Sequence, residues 1–150
     1  MGAKFGVRSA GVLIWNNKVL MQKRVGDENY ALPGGGVEKN EFSSDALLRE
    51  LMEECGESRV KIERLLFVCE CNFSFNGETF QQIGFYHKLV PLEGCRLMDK
   101  ESFSGIEEGK NIVYKWIDLD TIKESKIKPD FLKDRLCSLP NEVEHLCIED

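Results

Sequence analysis

The sequence has no long apolar run, no CxxC pair and only two histidines, His87 and His145. Without about 18 consecutive apolar residues it offers no membrane-spanning helix. With so few imidazoles and no paired thiols, a zinc site has little to be built from. The opening MGAKFGVRSA holds no apolar core, so no secretory signal is expected. Six cysteines stand at 55, 69, 71, 95, 137 and 147; without such a signal they read as reduced thiols of a cytoplasmic protein. Apolar residues at 42% and charged ones at 31% suffice to bury one core and solvate its surface, so residues 1–150 are read as one domain.

Positive charge is missing where negative charge collects. Seven acids and two bases between Glu38 and Glu57 hold a net −5 of the chain's −6. General nucleic-acid binding through a basic face is therefore not expected. A concentrated negative patch asks for a cation.

The order of elements follows from periodicity and turn residues. FGVRSAGVLIW alternates and is β-branched, predicting a strand over about 5–15; Asn16-Asn17 turns it back into KVLMQKR. VGDENYALPGGGVEKN reads as loop, and Ser43 or Ser44 as the cap of a helix running to about Cys55, with Gly56 at its end. Two strands flank Asn76-Gly77, which sets Phe73 opposite Phe80 and Phe75 opposite Glu78. NIVYKWI is another strand, DLDTIKES a short helix start, and KPDFLKDRLCSL a later helix opened by Pro129.

The helix carries the chemistry. At about 100° per residue, Glu50, Glu53, Glu54 and Glu57 fall on one side. Leu47, Leu48, Leu51, Met52 and Cys55 form the opposite, apolar stripe. Like charges at i, i+3 and i+4 repel by roughly 0.2–0.5 kcal/mol per pair. Oxygen donors converging this way suit a hard cation, Mg²⁺ or Mn²⁺. A merely solvated acidic face is the other reading.

From Gly35, five residues lead to Glu41 and seven more to Arg49-Glu50, and then RELMEECG follows. This resembles the Nudix box, G-x5-E-x7-R-E-U-x-E-E-x-G-U, with U a bulky apolar residue. The lead-in ALPGGGVE and the strand YKWIDLD are similar to MutT-like members. The ending from Ile127 resembles bacterial members with a C-terminal helix and tail. One position of the box departs, and so does one pair beyond it. Glu57 replaces the last apolar residue, which bears on how the helix end packs, and Gln81-Gln82 stand where that group often has His-Glu.

The resemblance implies an α/β fold, an α/β/α sandwich with a central mixed β-sheet and a loop-helix-loop motif. It implies hydrolysis of a nucleoside diphosphate linked to another group, with Mg²⁺ or Mn²⁺ as cofactor. Glu50, Glu53 and Glu54 become metal ligands, with the backbone of Gly35 as a further one. Glu50 or Glu53 orients or deprotonates the water. Glu41 and Arg49 act as a supporting pair. A further acid is expected from the loop before the last strand, Glu107 or Glu108 ahead of Glu101. Arg8, Lys23 and Arg24 are candidates for substrate phosphates; Trp15, Tyr30, Phe73 and Phe75 for base stacking; and the polar hairpin face with Gln81 for a substrate wall. The partner is a small nucleotide, and a homodimer is an open expectation. FVCECNFSFNGETF lacks the signatures linked in this family to ADP-ribose, diadenosine polyphosphates or NADH, so the substrate stays open. A binding sensor without turnover is the alternative. An isoprenoid diphosphate isomerase of the same fold needs a Cys and a Glu in the pocket, and no cysteine here has a matching context.

Overall fold

The computed structural model describes residues 4–150, so the first three residues of the MGAKFGVRSA opening lie outside it. The chain forms β1 (Lys4–Trp15), β2 (Lys18–Arg24), β3 (Gly34–Gly36), α1 (Ser43–Cys55), β4 (Val60–Phe75), β5 (Glu78–Pro91), β6 (Ser102–Ser104) and β7 (Ile112–Asp118). A 3₁₀ segment (Leu119–Glu124), α2 (Leu132–Arg135) and β8 (Glu144–Glu149) complete it.

Both hairpins turn on left-handed asparagines. Asn16 and Asn17 have φ of 51° and 60°, and Asn76 and Gly77 have 52° and 79°, the sign a two-residue turn needs to match strand twist. The second turn sets Phe73 against Phe80, stacked at 5.1 Å between ring centroids, and Phe75 against Glu78. Strand order is β6-β7-β2-β1-β5-β4-β8, with β3 on β1. β1 pairs with β5 and β4 with β8 in parallel, and the other pairs are antiparallel. The expected mixed sheet is therefore present.

Alternation sends neighbouring residues to opposite faces. Leu13 and Leu20 pack with Leu47 and Leu51 of α1. Val12, Val19 and Met21 pack with Ile122, Ile127 and Leu132 beyond β7. Helical layers thus cover both faces of the sheet, but the second is thin. The predicted KPDFLKDRLCSL helix reduces to four α-helical residues. Pro129 and Pro140 bracket it, and a residue before proline is turned out of the helical region.

Other details depart from expectation. Phe42, not Ser43 or Ser44, is the N-cap of α1, with no side-chain cap bond; Ser43 Oγ instead meets His87 Nε2 at 3.0 Å. Gly56 closes the helix at φ 72° as expected. Glu57 therefore lies past the helix rather than on its acidic stripe. It is buried and accepts from the amides of Arg59 (2.9 Å) and Arg96 (2.6 Å). Hydrogen bonds replace the apolar packing of that position. Met52, assigned to the apolar stripe, is 53% exposed. Gly34–Gly36 is a short strand rather than a loop, and the tail forms β8 instead of trailing from a helix. β8 buries Leu146 and Ile148 partly against the core and turns His145 and Cys147 outward. All six cysteines are free. Among the described residues no helix is long and apolar enough to cross a membrane.

Leu47 is fully buried under α1. Leu47→Ala is expected to lower unfolding free energy by about 2–5 kcal/mol. Met52→Ala stays within about 0.5 kcal/mol. Urea midpoints of the two variants check the pair.

Candidate active site

β3 lies on β1 with Arg8 opposite Gly36 and Ser9 opposite Gly35. This brings the glycine backbone under the acidic side of α1. A Cβ on Gly35 would sit 2.6 and 2.7 Å from the two Glu50 oxygens, so only glycine lets that carboxylate lie on the strand. Asn40, at φ 67°, holds the left-handed turn between β3 and α1.

Arg49 organises the acids around it. Its Nε and Nη2 donate to the two oxygens of Glu41 at 2.7 and 3.0 Å, a bidentate pair. Nη1 donates to Glu50 Oε1 at 3.1 Å and to Glu53 Oε2 at 3.2 Å. Nη2 also donates to the Gly36 carbonyl at 3.0 Å, tying loop to helix. Glu41 Oε1 accepts from the Glu38 amide at 3.0 Å. The Arg49 hydrogen bond, then that amide, hold the Glu41 carboxyl below the usual carboxylate range.

Two of the stripe's carboxylates are buried. Glu50 is 7% exposed and Glu54 4%. Glu50 Oε2 has no hydrogen-bond partner among the described residues. Glu54 Oε2 accepts from the Tyr114 hydroxyl at 3.0 Å, and its Oε1 lies 3.5 Å from Lys110 Nζ. Burial pushes the Glu54 carboxyl up; the Tyr114 bond opposes this and the charge of Glu50 adds to it. Glu53 is half exposed and sits at the rim beside Arg49.

Glu50 and Glu54 line a cleft of about 320 Å³ together with Gly35, Arg8, Lys23, Arg24 and Lys110. One wall is acidic and the rim is basic. An orphaned buried oxygen, a second buried carboxylate and a strand stripped of side chains fit a hard divalent cation with oxygen ligands. Glu50 and Glu54 would hold it, with Glu53 reaching from the rim. The basic residues suit the phosphates of a substrate. Arg8 is anchored by donating to the Leu32 carbonyl at 2.6 Å. Arg24 is exposed and has no ion-pair partner among the described residues.

The loop acids separate. Glu107 lies 3.1 Å from Lys110 Nζ, which joins it to Glu54. Glu108 is exposed and does not line the cleft. Glu101 pairs with Lys18 at 2.9 Å, away from the cleft. Phe73 and Gln81 do not line the cleft either. Phe73 stacks on Phe80 and packs on the core, because the hairpin's cross-strand pairing draws its ring inward. Gln81 is exposed further along β5. Trp15 and Phe75 are exposed at hairpin tips, and Tyr30 packs under Lys23 Nζ at 4.8 Å.

Three residues escaped the sequence reading. Lys110 and Tyr114 reach Glu54 from the β7 side, and Gln22 lines the cleft with a buried amide oxygen that has no partner among the described residues. Tyr114 and Gln22 are a register pair of β7 and β2. No local spacing marks them.

The family described as NUDIX domain matches residues 6–135. An 8-oxo-dGTP diphosphatase of Buchnera aphidicola is 33% identical over 118 residues, 75% of this chain and 77% of that protein. An RNA pyrophosphohydrolase of Ruthia magnifica is 44% identical over 52 residues, 33% of this chain. The match spans only 29% of the length of that relative. A crystal structure of a MutT protein from Bacillus halodurans superposes at a TM-score of 0.66, at 12% identity, over 96% of this chain and 89% of that one. At that identity the likeness speaks for the fold.

Gly35→Ala is expected to displace Glu50 and reduce turnover by about 10- to 100-fold while far-UV circular dichroism stays unchanged. Glu54 gives a second outcome. A carboxyl whose folded pKa is raised lets the unfolded state ionise first, so stability falls as pH rises from the unfolded value toward the folded one. Metal-free Glu54→Gln therefore melts at a higher temperature than wild type at neutral pH. Added Mg²⁺ raises the wild-type midpoint and leaves the variant's in place. Thermal melts with chelator and with Mg²⁺ check both.

Proposed function

This chain belongs to the NUDIX domain family, matched over residues 6–135, and we propose that it is a divalent-metal-dependent hydrolase of a diphosphate linkage in a nucleoside triphosphate or a nucleoside diphosphate derivative. One observation supports this most. Two buried carboxylates, one with an unpartnered oxygen, share a cleft with Arg8, Lys23, Arg24 and Lys110. That cleft has an acidic wall for a cation and a basic rim for phosphates.

Mg²⁺ or Mn²⁺ supplies positive charge for the phosphoryl oxygens and a water of lowered pKa. The protein's own residues do the rest. Glu50 and Glu54 present carboxylate oxygens from one helix face. Arg49, held by Glu41, fixes the position of Glu50 and keeps Glu53 at the rim. Glu53 or Glu50 orients the attacking water and accepts its proton. Arg8 and Arg24 receive the charged phosphates and align the chain of the substrate. Lys110, between Glu54 and Glu107, offers a further positive charge to the leaving phosphate.

The relatives' names widen the substrate range under this reading. Oxidised purine triphosphates and the triphosphate end of an RNA both present the same linkage to the cleft. The reading extends to a cytoplasmic protein acting as one domain, with homodimerisation left to direct measurement. A sensor that binds without cleaving is the second class; the glutamates of the box, all retained, speak for turnover.

A panel of nucleoside triphosphates, nucleotide sugars, ADP-ribose and a 5′-triphosphorylated RNA, each with Mg²⁺ and Mn²⁺, tests the proposal. Metal-dependent release of phosphate or a nucleotide product is expected for at least one class. Glu54→Gln and Glu53→Gln are expected to lose about 100-fold or more in turnover on it with the fold intact. Tight binding without turnover across the panel establishes the sensor instead.

A further inference from the structure

Three outward-facing side chains at the far edge of the sheet hold together without any link to the cleft. Glu70 projects from β4, and His145 and Cys147 project from β8, all exposed. The parallel register places Val68 beside His145 and Glu70 beside Cys147. Cys69 and Cys71, on the other side of β4, are in the core, so alternation turns Glu70 away from it. Residues 145 and 147 are two apart on one strand and share that outer side. The backbone ladder, not loop chance, brings the three donors together.

Their spacing is that of a coordination triangle. Glu70 Oε2 lies 2.7 Å from His145 Nε2 and 3.4 Å from Cys147 Sγ, and Sγ lies 3.8 Å from Nε2. Tetrahedral zinc with ordinary bond lengths sets these edges at ~3.3 Å for O to N and ~3.5–3.6 Å for those to sulfur. Only the Glu70–His145 hydrogen bond has to open, by roughly half an ångström on that geometry. One carboxylate, one imidazole and one thiol are the donor set of zinc and its neighbours, not of Mg²⁺. Among the described residues no Lys or Arg pairs with Glu70; its only ion pair is with His145. The sequence showed no such site because 75 residues separate Glu70 from His145 and no ligand-spacing motif joins them.

We propose that Glu70, His145 and Cys147 form a surface site for Zn²⁺ or a similar borderline transition-metal cation, with water as fourth ligand, that fastens β8 to β4. β8 is an edge strand held on one side only. It follows the thin second helical layer. A metal bridging it to β4 adds a cross-link where the sheet has least support. The site is separate from the cleft: β5 and β4 stand between β1 and β8, a separation of roughly 14 Å across the sheet. Its softer donors also divide the metals, leaving the oxygen-lined cleft to Mg²⁺ or Mn²⁺.

Cobalt(II) reports the site optically through its bond to thiolate. The reduced protein, titrated with Co²⁺, is expected to show a near-ultraviolet thiolate-to-cobalt band that saturates at one equivalent and that Zn²⁺ displaces. Cys147→Ser abolishes the band; His145→Ala and Glu70→Gln weaken binding by about 10-fold or more. Cys137→Ser, at the other exposed cysteine, and Glu54→Gln, in the cleft, keep it. Hydrogen exchange adds a second readout: Zn²⁺ slows exchange of the β8 amides in wild type and not in Cys147→Ser. The absence of a thiolate band, its persistence in Cys147→Ser, or unchanged β8 exchange with Zn²⁺ overturns the proposal.

Discussion

Two carboxylates buried side by side are the constraint on which this structure turns. Glu50 and Glu54 face the same cleft; Lys110 approaches Glu54 at 3.5 Å, and Arg49, on the same helix, donates to Glu50 at 3.1 Å. Like charges sharing a buried site repel, and burial weakens the screening that water gives them; the charge of Glu50 adds to the upward push on the Glu54 carboxyl. Fold stability alone does not call for such an arrangement, and an apolar pair on the same helix positions would pack without repulsion. The protein meets the cost locally. Tyr114 donates to Glu54, burial raises that carboxyl's proton affinity, and Lys110 sits opposite. One oxygen of Glu50 is still left without a partner. A cation satisfies all of these demands at once.

Holding the acids in place is the work of Arg49. Its guanidinium spans Glu41, Glu50, Glu53 and the Gly36 carbonyl. The bidentate bond to Glu41 fixes the plane of the fork, and the remaining donors then aim Glu50 and Glu53. A lysine offers no such plane. Gly35 completes the arrangement by leaving room for Glu50 on the strand. Helix, loop and strand are thus locked by one side chain and one missing side chain. The sheet provides the platform: β1 carries β3, and β7 brings Tyr114 to the other side of Glu54.

The legible part of the site was the part written in local spacing. Glu41 and Arg49 are eight residues apart, and Glu50 and Glu54 one helical turn apart, so a fixed motif carries their geometry. The hairpins were legible for the same reason, since a two-residue Asn-Asn or Asn-Gly turn determines which residues face each other. Gln22 and Tyr114 were not legible, because strand register, not sequence distance, brings them together, and Lys110 was not, because the turn before β7 carries it to Glu54. Phe73 and Gln81 were misplaced for the converse reason: a polar hairpin face resembles a binding wall until the strands show where the hairpin ends. The tail misled as well. Its alternation, with Leu146 and Ile148 inward, is a strand signal, but such a strand also needs a free sheet edge. The edge of β4 supplies one only after the other strands have paired.

Anomalous diffraction from crystals soaked in Mn²⁺ tests the central claim most directly, because it locates the ion without reference to turnover. The account predicts a strong manganese peak in the cleft, bonded to Glu50 Oε2 and to a Glu54 oxygen, with the Arg49–Glu41 pair unmoved. A manganese-saturated crystal with no peak beside those two carboxylates would contradict it.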